Sequence, residues 1–310
     1  MNIVYMGSPE FACIPLEALV KAGHNVNLVF TQPDKPKGRG NKMQKSPVKI
    51  KAEELGIRVM DPVKLKDNEE CLQALQEAQP DVIVAFAYGK ILRKQVLGIP
   101  KYGCLNIHTS LLPDYRGAAP VQRSIMDGCE YTGVTVMRIG EGLDDGDYFL
   151  QEKTPIGDKT ADELFTELAQ TGAKLLTENL EAIVNGSISP IPQGESRTEY
   201  AAAITKEEGR IDWNRPAFLI KRLIQAFHSN PCAWTCLNET VLKIYKAELA
   251  SEIPVNALPG TVVAVGKTGI EVACCDGTLR IKTLQAPGKK VMDAGAFLLG
   301  NKIEIGTVLR

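Results

Sequence analysis

The chain has 310 residues, 44% hydrophobic and 24% charged, which is enough for one large globular domain or two smaller ones. Its formal net charge of −1 does not by itself predict a nucleic-acid partner. No apolar run approaches the roughly 18 residues of a membrane span, and the start MNIVYMGSPEF lacks the charged region of a signal peptide. We therefore expect a two-domain protein of the cytoplasm that does not contact a membrane.

The first half of the chain alternates short apolar runs with helical patterns. Strands are predicted for NIVYM, NVNLVF and DVIVAFA, and each is followed by a helix, in PLEALVKAG, SPVKIKAEELG and KILRKQVLG. Two further strands, GCLNIHT and YTGVTVMRI, flank a short helix in PVQRSIMDG, and a long amphipathic helix follows, capped at Thr160 and ended at Gly186. Val/Ile-rich runs between helices are typical of buried parallel strands. The pattern predicts an α/β domain with an open, doubly wound, mainly parallel sheet.

The second half has a different character. The segment ISPIPQGESRTEYAAAITKEE carries prolines and no clear period, which indicates a connector. After one helical pattern, PAFLIKRLIQAF, five short strands with turn signals between them predict a small β-barrel of the OB-like kind. We predict domains at residues 1–188 and 209–310, joined by a linker at 189–208. No heptad pattern or extended apolar surface pattern is visible, so we expect a monomer.

Charge is distributed unevenly along the chain. Residues 209–310 carry a net charge of +5, and the loop TQPDKPKGRGNKMQKSPVKIK, residues 31–51, holds seven basic residues and one acidic residue. A polyanion could be bound by this loop and the C-terminal part together.

The stretch NIHTSLLPDYRGAAP, residues 106–120, concentrates polar groups in a short segment. Asn106 and His108 are two residues apart on a strand, so their side chains project to the same face. They lie at the carboxyl end of that strand, where open α/β sheets bind ligands. This pattern alone fits a catalytic histidine and a structural histidine equally well.

An acidic, glycine-rich loop, GEGLDDGDY, follows the next strand, so we expect it at the same edge of the sheet, with Asp144 beside His108. A carboxylate there would hold the imidazole tautomer and stabilise the imidazole cation. Asp145 and Asp147 raise the alternative of a metal site. No further ligand set is visible, and the eight cysteines lack zinc-ligand spacing, so we expect no metal and reduced thiols that mostly serve packing.

The reaction type follows from the residues that are present. Ser110 is a candidate nucleophile, but SLLP does not resemble a nucleophile elbow. An Asn, a His and an Asp without a nucleophile indicate direct transfer between two bound substrates. Asn106 would stabilise a developing oxyanion, and His108 would manage the proton of an attacking amine.

The segments NIHTSLLPDYRGAAP and MRIGEGLDDGD together resemble the folate-dependent formyltransferases, which have a Rossmann-like catalytic domain. The resemblance implies transfer of a formyl group from 10-formyltetrahydrofolate to an amine, with Asn106, His108 and Asp144 as the catalytic residues. It implies folate contacts from two segments, which comprise Ser110, Leu111, Leu112 and Pro113 in the first and Phe86, Tyr88 and Gly89 in the second.

The flanking sequence separates branches of this family. MGSPEFA, the basic loop, GRIDW and LQAPGKKVMDAGAFLLG are similar to members that formylate methionine on initiator methionyl-tRNA. This resemblance implies that the basic loop binds tRNA, through Lys37, Arg39 and Lys42, the alternative being a solvated run of charge. Lys289 and Lys290 are further candidates, equally compatible with tRNA contact and with plain surface. The alternatives are formylation of a small sugar or nucleotide amine by the same site, and a non-catalytic RNA-binding protein on an α/β scaffold.

Overall fold

A computed structural model describes residues 1–37 and 42–310 of the chain. The described residues form two compact units. The first unit comprises Met1–Pro120, Thr132–Pro155 and Phe165–Ala201, and the second comprises Val121–Tyr131, Ile156–Leu164 and Ala202–Arg310. The domain limits at 188 and 209, and the linker between them, stay predictions.

Strands and helices alternate up to residue 201. The strands are β1 Asn2–Gly7, β2 Asn25–Phe30, β3 Lys35–Lys37, β4 Lys42–Gln44, β5 Arg58–Met60, β6 Val82–Phe86, β7 Cys104–His108, β8 Tyr131–Arg138 and β9 Tyr148–Pro155. The helices are α1 Cys13–Lys21, α2 Pro47–Glu54, α3 Glu69–Ala78, α4 Lys94–Leu97, α5 Pro120–Met126 and α6 Ala161–Val184.

One seven-stranded sheet, in the order β5-β2-β1-β6-β7-β8-β9, organises the first unit. The pairs from β5 to β7 are parallel, and β8 runs antiparallel to β7. The strand order reverses direction between β1 and β6, and ligands of such sheets bind beside the carboxyl ends of the strands at this kind of switch point. The predicted doubly wound, mainly parallel sheet is confirmed.

Helices cover both faces of the sheet. On one face, Leu75 of α3 belongs to a buried cluster with Met6, Ile83 and Cys104. On the other face, α6 approaches β7 so closely that a Cβ at Gly172 would lie 2.4 Å from Cγ2 of Ile107. Because side chains alternate along β7, the even-numbered residues after Cys104 share its face, away from α6. The packing on Ile107 therefore helps to fix the orientation of this strand.

Substitution of Gly172 by Ala is expected to destabilise the protein. Overpacking a buried contact costs about 1–3 kcal/mol, which exceeds the gain of about 1 kcal/mol in helix propensity. Urea unfolding measures the difference. Gly300→Ala is the matched control, since a Cβ there would meet nothing within 4 Å. Equal free energies of unfolding for the two variants would contradict the close approach of α6 to β7.

The predicted start and end of α6 are confirmed. The Thr160 hydroxyl accepts a hydrogen bond from the Glu163 backbone N–H (3.3 Å), and the Glu163 carboxylate accepts one from the Thr160 N–H (2.8 Å). This reciprocal pair is a capping box, and the hydrogen bonds from Thr160 lower the pKa of Glu163. Gly186 follows the helix with φ of 81°, a left-handed conformation that glycine adopts readily.

The remaining elements belong to the second unit. They are α7 Ala217–Ala226, β10 Ala233–Leu237, β11 Thr240–Ser251, β12 Val262–Gly266, β13 Gly269–Ala273, β14 Thr278–Gln285, β15 Met292–Asp293 and α8 Ala294–Gly300. The strands form one sheet in the order β10-β11-β14-β13-β12, with β15 paired to β14. The pairs for which a register is given are antiparallel.

The last described residues close this sheet into a barrel. Arg310 exchanges two backbone hydrogen bonds with Cys236 of β10 (2.6 and 3.0 Å). On the other side, the Leu309 N–H donates to the Gly260 carbonyl (2.8 Å), and the Val262 N–H at the start of β12 donates to the Thr307 carbonyl (2.7 Å). Residues 307–310 therefore bridge the two edges of the sheet, which agrees with the predicted small barrel.

Some helices and strands of the structure were not predicted from the sequence. The helix predicted in KILRKQVLG is reduced to the single turn of α4, and the β3–β4 hairpin, β5, α3, β9, β15 and α8 were not predicted. Several of these are only two to three residues long, too short to show a period. In the described part of the chain, no helix has the length and apolarity that a bilayer span requires.

Candidate active site

Strand β7 presents Asn106 and His108 on the same face, as predicted. Its register sets Asn106 between Ala85 of β6 and Met137 of β8. Asn106 is half-buried, and its amide makes no hydrogen bond with any residue that the structure describes. An amide donor is thus available beside a buried imidazole at the carboxyl end of β7.

His108 is held by a single direct hydrogen bond. Its side chain is buried, with Nε2 3.0 Å from the backbone carbonyl oxygen of Tyr115. A carbonyl oxygen only accepts, so Nε2 carries a proton and Nδ1 is the nitrogen left to gain or lose one. Nδ1 lies 3.8 Å from Oδ2 of Asp144, which is within ion-pair range but longer than a hydrogen bond. The ring is therefore oriented, and its reactive nitrogen lies beside a carboxylate.

Asp144 lies beside His108 as predicted, but the path of the chain that brings it there differs from the prediction. The prediction placed the Asp144 loop at the carboxyl edge of β7 because it follows the next strand. Strand β8 runs antiparallel, however, and ends with Arg138 opposite Leu105, near the start of β7. Residues 139–144 bring the chain to His108, where Oδ2 of Asp144 accepts a hydrogen bond from the Gly117 N–H (3.0 Å).

The SLLP segment is fixed by residues that sequence reasoning missed. The Thr135 hydroxyl of β8 donates to the Ser110 carbonyl (2.6 Å) and accepts from the Leu112 N–H (3.1 Å). Gln151 of β9 donates to the Leu112 carbonyl (2.7 Å). Thr135 lies within the predicted strand YTGVTVMRI, but nothing local in the sequence indicates its long-range contacts. Neighbouring β strands thus define the path of this loop.

Within this segment, the side chains differ in what they can offer a ligand. Ser110 is fully buried, and its hydroxyl donates to the Asp114 carbonyl (2.7 Å), so it is not free to act as a nucleophile. Leu112 is also buried, whereas Leu111 and Pro113 are half-buried. The peptide bond between Leu112 and Pro113 is cis.

The second predicted folate segment follows β6. The Phe86 ring is buried and packs edge to face on Phe11, with centroids 5.5 Å apart. Tyr88 is buried in the same cluster as Leu75, and burial raises the pKa of its hydroxyl. Gly89 has φ of 75°, and Gln32 donates to the Tyr88 carbonyl (2.8 Å). The Tyr88 ring is thus part of the core, and the loop that begins with it follows the carboxyl end of β6.

The residues predicted to bind tRNA occupy two places. Lys42 is exposed and opens β4, which pairs with β3 at Lys37, while the Lys37 side chain and Arg39 lie outside the described residues. Lys289 and Lys290 are exposed in the turn between β14 and β15 of the second unit.

The cysteines were predicted to be mostly packing residues, and four of them are buried, whereas Cys275 is exposed. All eight are free thiols, and burial raises the pKa of Cys104 and of Cys274 to about 12, so these two stay protonated near neutral pH. Within the described ranges, no three His, Cys, Asp or Glu side chains converge as a metal site would require. The expected absence of a metal stays a prediction.

A segment after α6, residues 191–201, also reaches the site and was predicted only as a connector. We call it the strap. The Thr198 hydroxyl accepts from the Tyr115 N–H (2.7 Å), and the Arg197 guanidinium pairs with the Asp114 carboxylate. The strap therefore braces the loop whose carbonyl orients His108.

An amide, an imidazole and a carboxylate meet at the carboxyl edge of an open α/β sheet, and the nearby Ser110 hydroxyl is bound to a backbone carbonyl. This arrangement is of the kind expected in an enzyme that moves a group directly between two bound substrates.

Comparison with known proteins gives the family. One family model, described as formyl transferase, matches residues 1–180, and a second, described as formyl transferase, C-terminal domain, matches residues 203–302. Methionyl-tRNA formyltransferases of Lachnospira eligens and Clostridium acetobutylicum are 43% and 44% identical to this chain; the alignments cover all of this chain and 99% and 100% of those proteins. The chain belongs to the formyl transferase family.

Solved structures share the fold. WlaRD, a sugar 3N-formyl transferase crystallised with dTDP and 5-N-formyl-THF, has a TM-score of 0.67 at 23% identity, covering 94% of this chain and 99% of that chain. HypX from Aquifex aeolicus in complex with tetrahydrofolic acid has a TM-score of 0.62 at 19% identity, covering 99% and 50% of the two chains.

Proposed function

We propose that the protein transfers the formyl group of 10-formyltetrahydrofolate to the amino group of methionine on initiator tRNA, and so acts in translation initiation. The observation that carries the choice of substrate is the full-length similarity to curated methionyl-tRNA formyltransferases, which includes the C-terminal region. The sugar formyltransferases are related at 23% identity or below, which supports a common fold and not a common substrate. In this role the protein would be a cytoplasmic monomer.

The candidate catalytic residues suit this chemistry. The neutral amine attacks the formyl carbon, a C–N bond forms, and the carbonyl electron pair moves to oxygen, where the Asn106 amide donates a hydrogen bond. The bond from the formyl carbon to the folate N10 then breaks. His108 takes the proton of the amine at Nδ1 and returns it to the leaving N10, while Asp144 stabilises the cation. Aligning the two substrates lowers the activation free energy of the transfer by about 7–11 kcal/mol.

The folate is proposed to lie along the loops that follow β6 and β7. Ser110 and Leu112 are buried, so their contribution is the backbone path that they fix, and the half-buried Leu111 and Pro113 are the side chains suited to direct contact. Gly89 contributes a loop without a side chain, which lets a flat ring approach the backbone closely.

The tRNA is proposed to contact two basic surfaces. One includes Lys37, the last residue of β3, and Lys42, the first of β4, together with Arg39, which lies outside the described residues; the other is formed by Lys289 and Lys290 on the barrel. Neutralising phosphates with such cations gives an affinity that weakens steeply as salt rises.

A substrate comparison tests the proposal. The purified protein is assayed with 10-formyltetrahydrofolate and either initiator methionyl-tRNA or an amino-sugar nucleotide, at about 50 and 200 mM salt. We expect transfer to methionyl-tRNA, with a KM that rises with salt, and a smaller rise for Lys289→Ala/Lys290→Ala. Lys302→Ala is the control, since Lys302 is an exposed barrel lysine that pairs with Glu304.

Each of the two alternative functions predicts a different outcome of this assay. Faster transfer to the amino sugar, with indifference to tRNA, would replace the proposal by small-amine formylation. Tight RNA binding without any formyl transfer would favour a binding protein.

A further inference from the structure

The strap is anchored on both sides of the candidate active site. At one end, Ile191 exchanges two backbone hydrogen bonds with Tyr148 at the start of β9 (2.7 and 3.0 Å). At the other end, the Ala201 N–H donates to the Arg116 carbonyl (2.8 Å), and the Ala201 carbonyl accepts from the Ala119 N–H (3.0 Å). The strap therefore spans from the Asp144 loop to the loop that follows β7.

Between these anchors, the Gln193 side chain joins the two loops directly. Its Nε2 donates to the carbonyl oxygens of Asp144 (2.9 Å) and Gly146 (2.7 Å), and its Oε1 accepts from Nε of Arg116 (2.9 Å). The two donors of one amide thus bind the loop that carries the carboxylate. The acceptor binds the residue immediately after Tyr115, whose carbonyl oxygen orients His108.

Asp144 needs such a restraint. Its φ is 51°, in the left-handed region that L residues adopt at an energetic cost. The loop around it contains Gly140, Gly142 and Gly146, so the local backbone has little stiffness of its own. The 3.8 Å separation from His108 provides no hydrogen bond between the two side chains, and the carboxylate itself accepts one, from the Gly117 N–H (3.0 Å). Its position relative to the imidazole therefore depends on this one bond and on contacts made by the loop backbone.

We propose that Gln193 is a positioning residue for formyl transfer: it holds Asp144 beside His108 through the backbone. This inference rests on the proposed function for its kinetic readout. A glutamate side chain in its place would be nearly isosteric, but a carboxylate has no N–H to donate and would set an oxygen against two carbonyl oxygens. The proposal therefore requires the two N–H donors of the Gln193 amide, and a side chain of the same size without them would not serve.

The Gln193→Glu variant tests the proposal by kinetics. We expect kcat to fall about tenfold, as losing two neutral hydrogen bonds allows, while KM for folate and for tRNA changes less than about twofold. Glu195→Gln is the matched control: it changes charge by one in the same exposed strap, and among the described residues Glu195 makes no hydrogen bond or ion pair. Equal kcat values for the two variants would overturn the proposal.

A double-mutant cycle shows whether the effect passes through Asp144. In an Asp144→Asn background there is no carboxylate left to position, so Gln193→Glu should then lower single-turnover rates by less than about twofold. Additive losses would mean that Gln193 acts independently of Asp144 and would overturn the proposal.

A spectroscopic readout does not depend on which amine is formylated. The chain has three histidines, so the ¹⁵N resonances of the His108 ring can be assigned by comparison with His108→Ala. We expect Gln193→Glu, but not Glu195→Gln, to shift the Nδ1 resonance of folded protein. An unshifted resonance would overturn the proposal. If the wild type fails to formylate methionyl-tRNA, the proposed function fails, yet this measurement still decides the role of Gln193.

Discussion

Replacing His108 by Ala is expected to lower kcat for formyl transfer by about 10²–10⁴, the usual contribution of a general acid–base group. The imidazole is buried, its Nε2 is held by the Tyr115 carbonyl, and its Nδ1 lies beside Asp144. Without the ring, the proton of the attacking amine has no positioned acceptor. Single-turnover rates with saturating substrates measure the effect, and filter binding measures the affinity for tRNA, which should not change.

The chain supplies a matched control for this variant. His24→Ala removes a half-buried histidine in the turn between α1 and β2, away from the catalytic strand. It should retain wild-type turnover. Full turnover by His108→Ala would mean that the assignment of the active site is wrong.

Replacing Asn106 by Ala is expected to lower kcat by about 10²–10³, because one donor to the oxyanion typically contributes about 2.7–4 kcal/mol. The side chain is half-buried, and its amide has no hydrogen-bond partner among the described residues, so it is available to a bound substrate. The effect should fall on kcat, with the folate KM nearly unchanged, since charge develops on the formyl oxygen only in the transition state.

An isosteric variant separates hydrogen bonding from packing. Asn106→Asp preserves the shape but replaces the donor with an anion that repels the oxyanion, so we expect it to be at least as impaired as Asn106→Ala. An Asn106→Asp enzyme with near-normal turnover would show that Asn106 acts through packing alone.

The sequence predicts a feature of the site well when that feature depends on residues close together in the chain, and poorly when it depends on distant ones. The shared face of Asn106 and His108 follows from the alternation of side chains along one strand, and the prediction was correct. The pairing of Asp144 with His108 was also predicted, but on the expectation that its loop opens at the same edge of the sheet, whereas β8 is antiparallel and ends at the opposite edge. The direction of a neighbouring strand depends on the path of the whole connection, and residues 109–130 give no periodic signal of it.

The supporting residues were missed for a related reason. Thr135, Gln151 and Gln193 act through hydrogen bonds to backbone groups that are distant in sequence. A single sequence carries no pattern for such contacts. Tyr88 illustrates the opposite case: a motif-based prediction named it, whereas burial in the cluster under α3 explains why an aromatic residue is there. Its part in folate binding stays a proposal.

The closure of the barrel by residues 307–310 has a consequence for synthesis on the ribosome. Strand β10 and the start of β12 emerge long before the segment that pairs with both of them. Until that segment leaves the exit tunnel, two strand edges expose unpaired N–H and C=O groups, which are templates for pairing with another nascent chain. The sheet-based first unit can complete its strand order from residues 2–155 much earlier. We therefore expect the barrel to fold later than the first unit during translation.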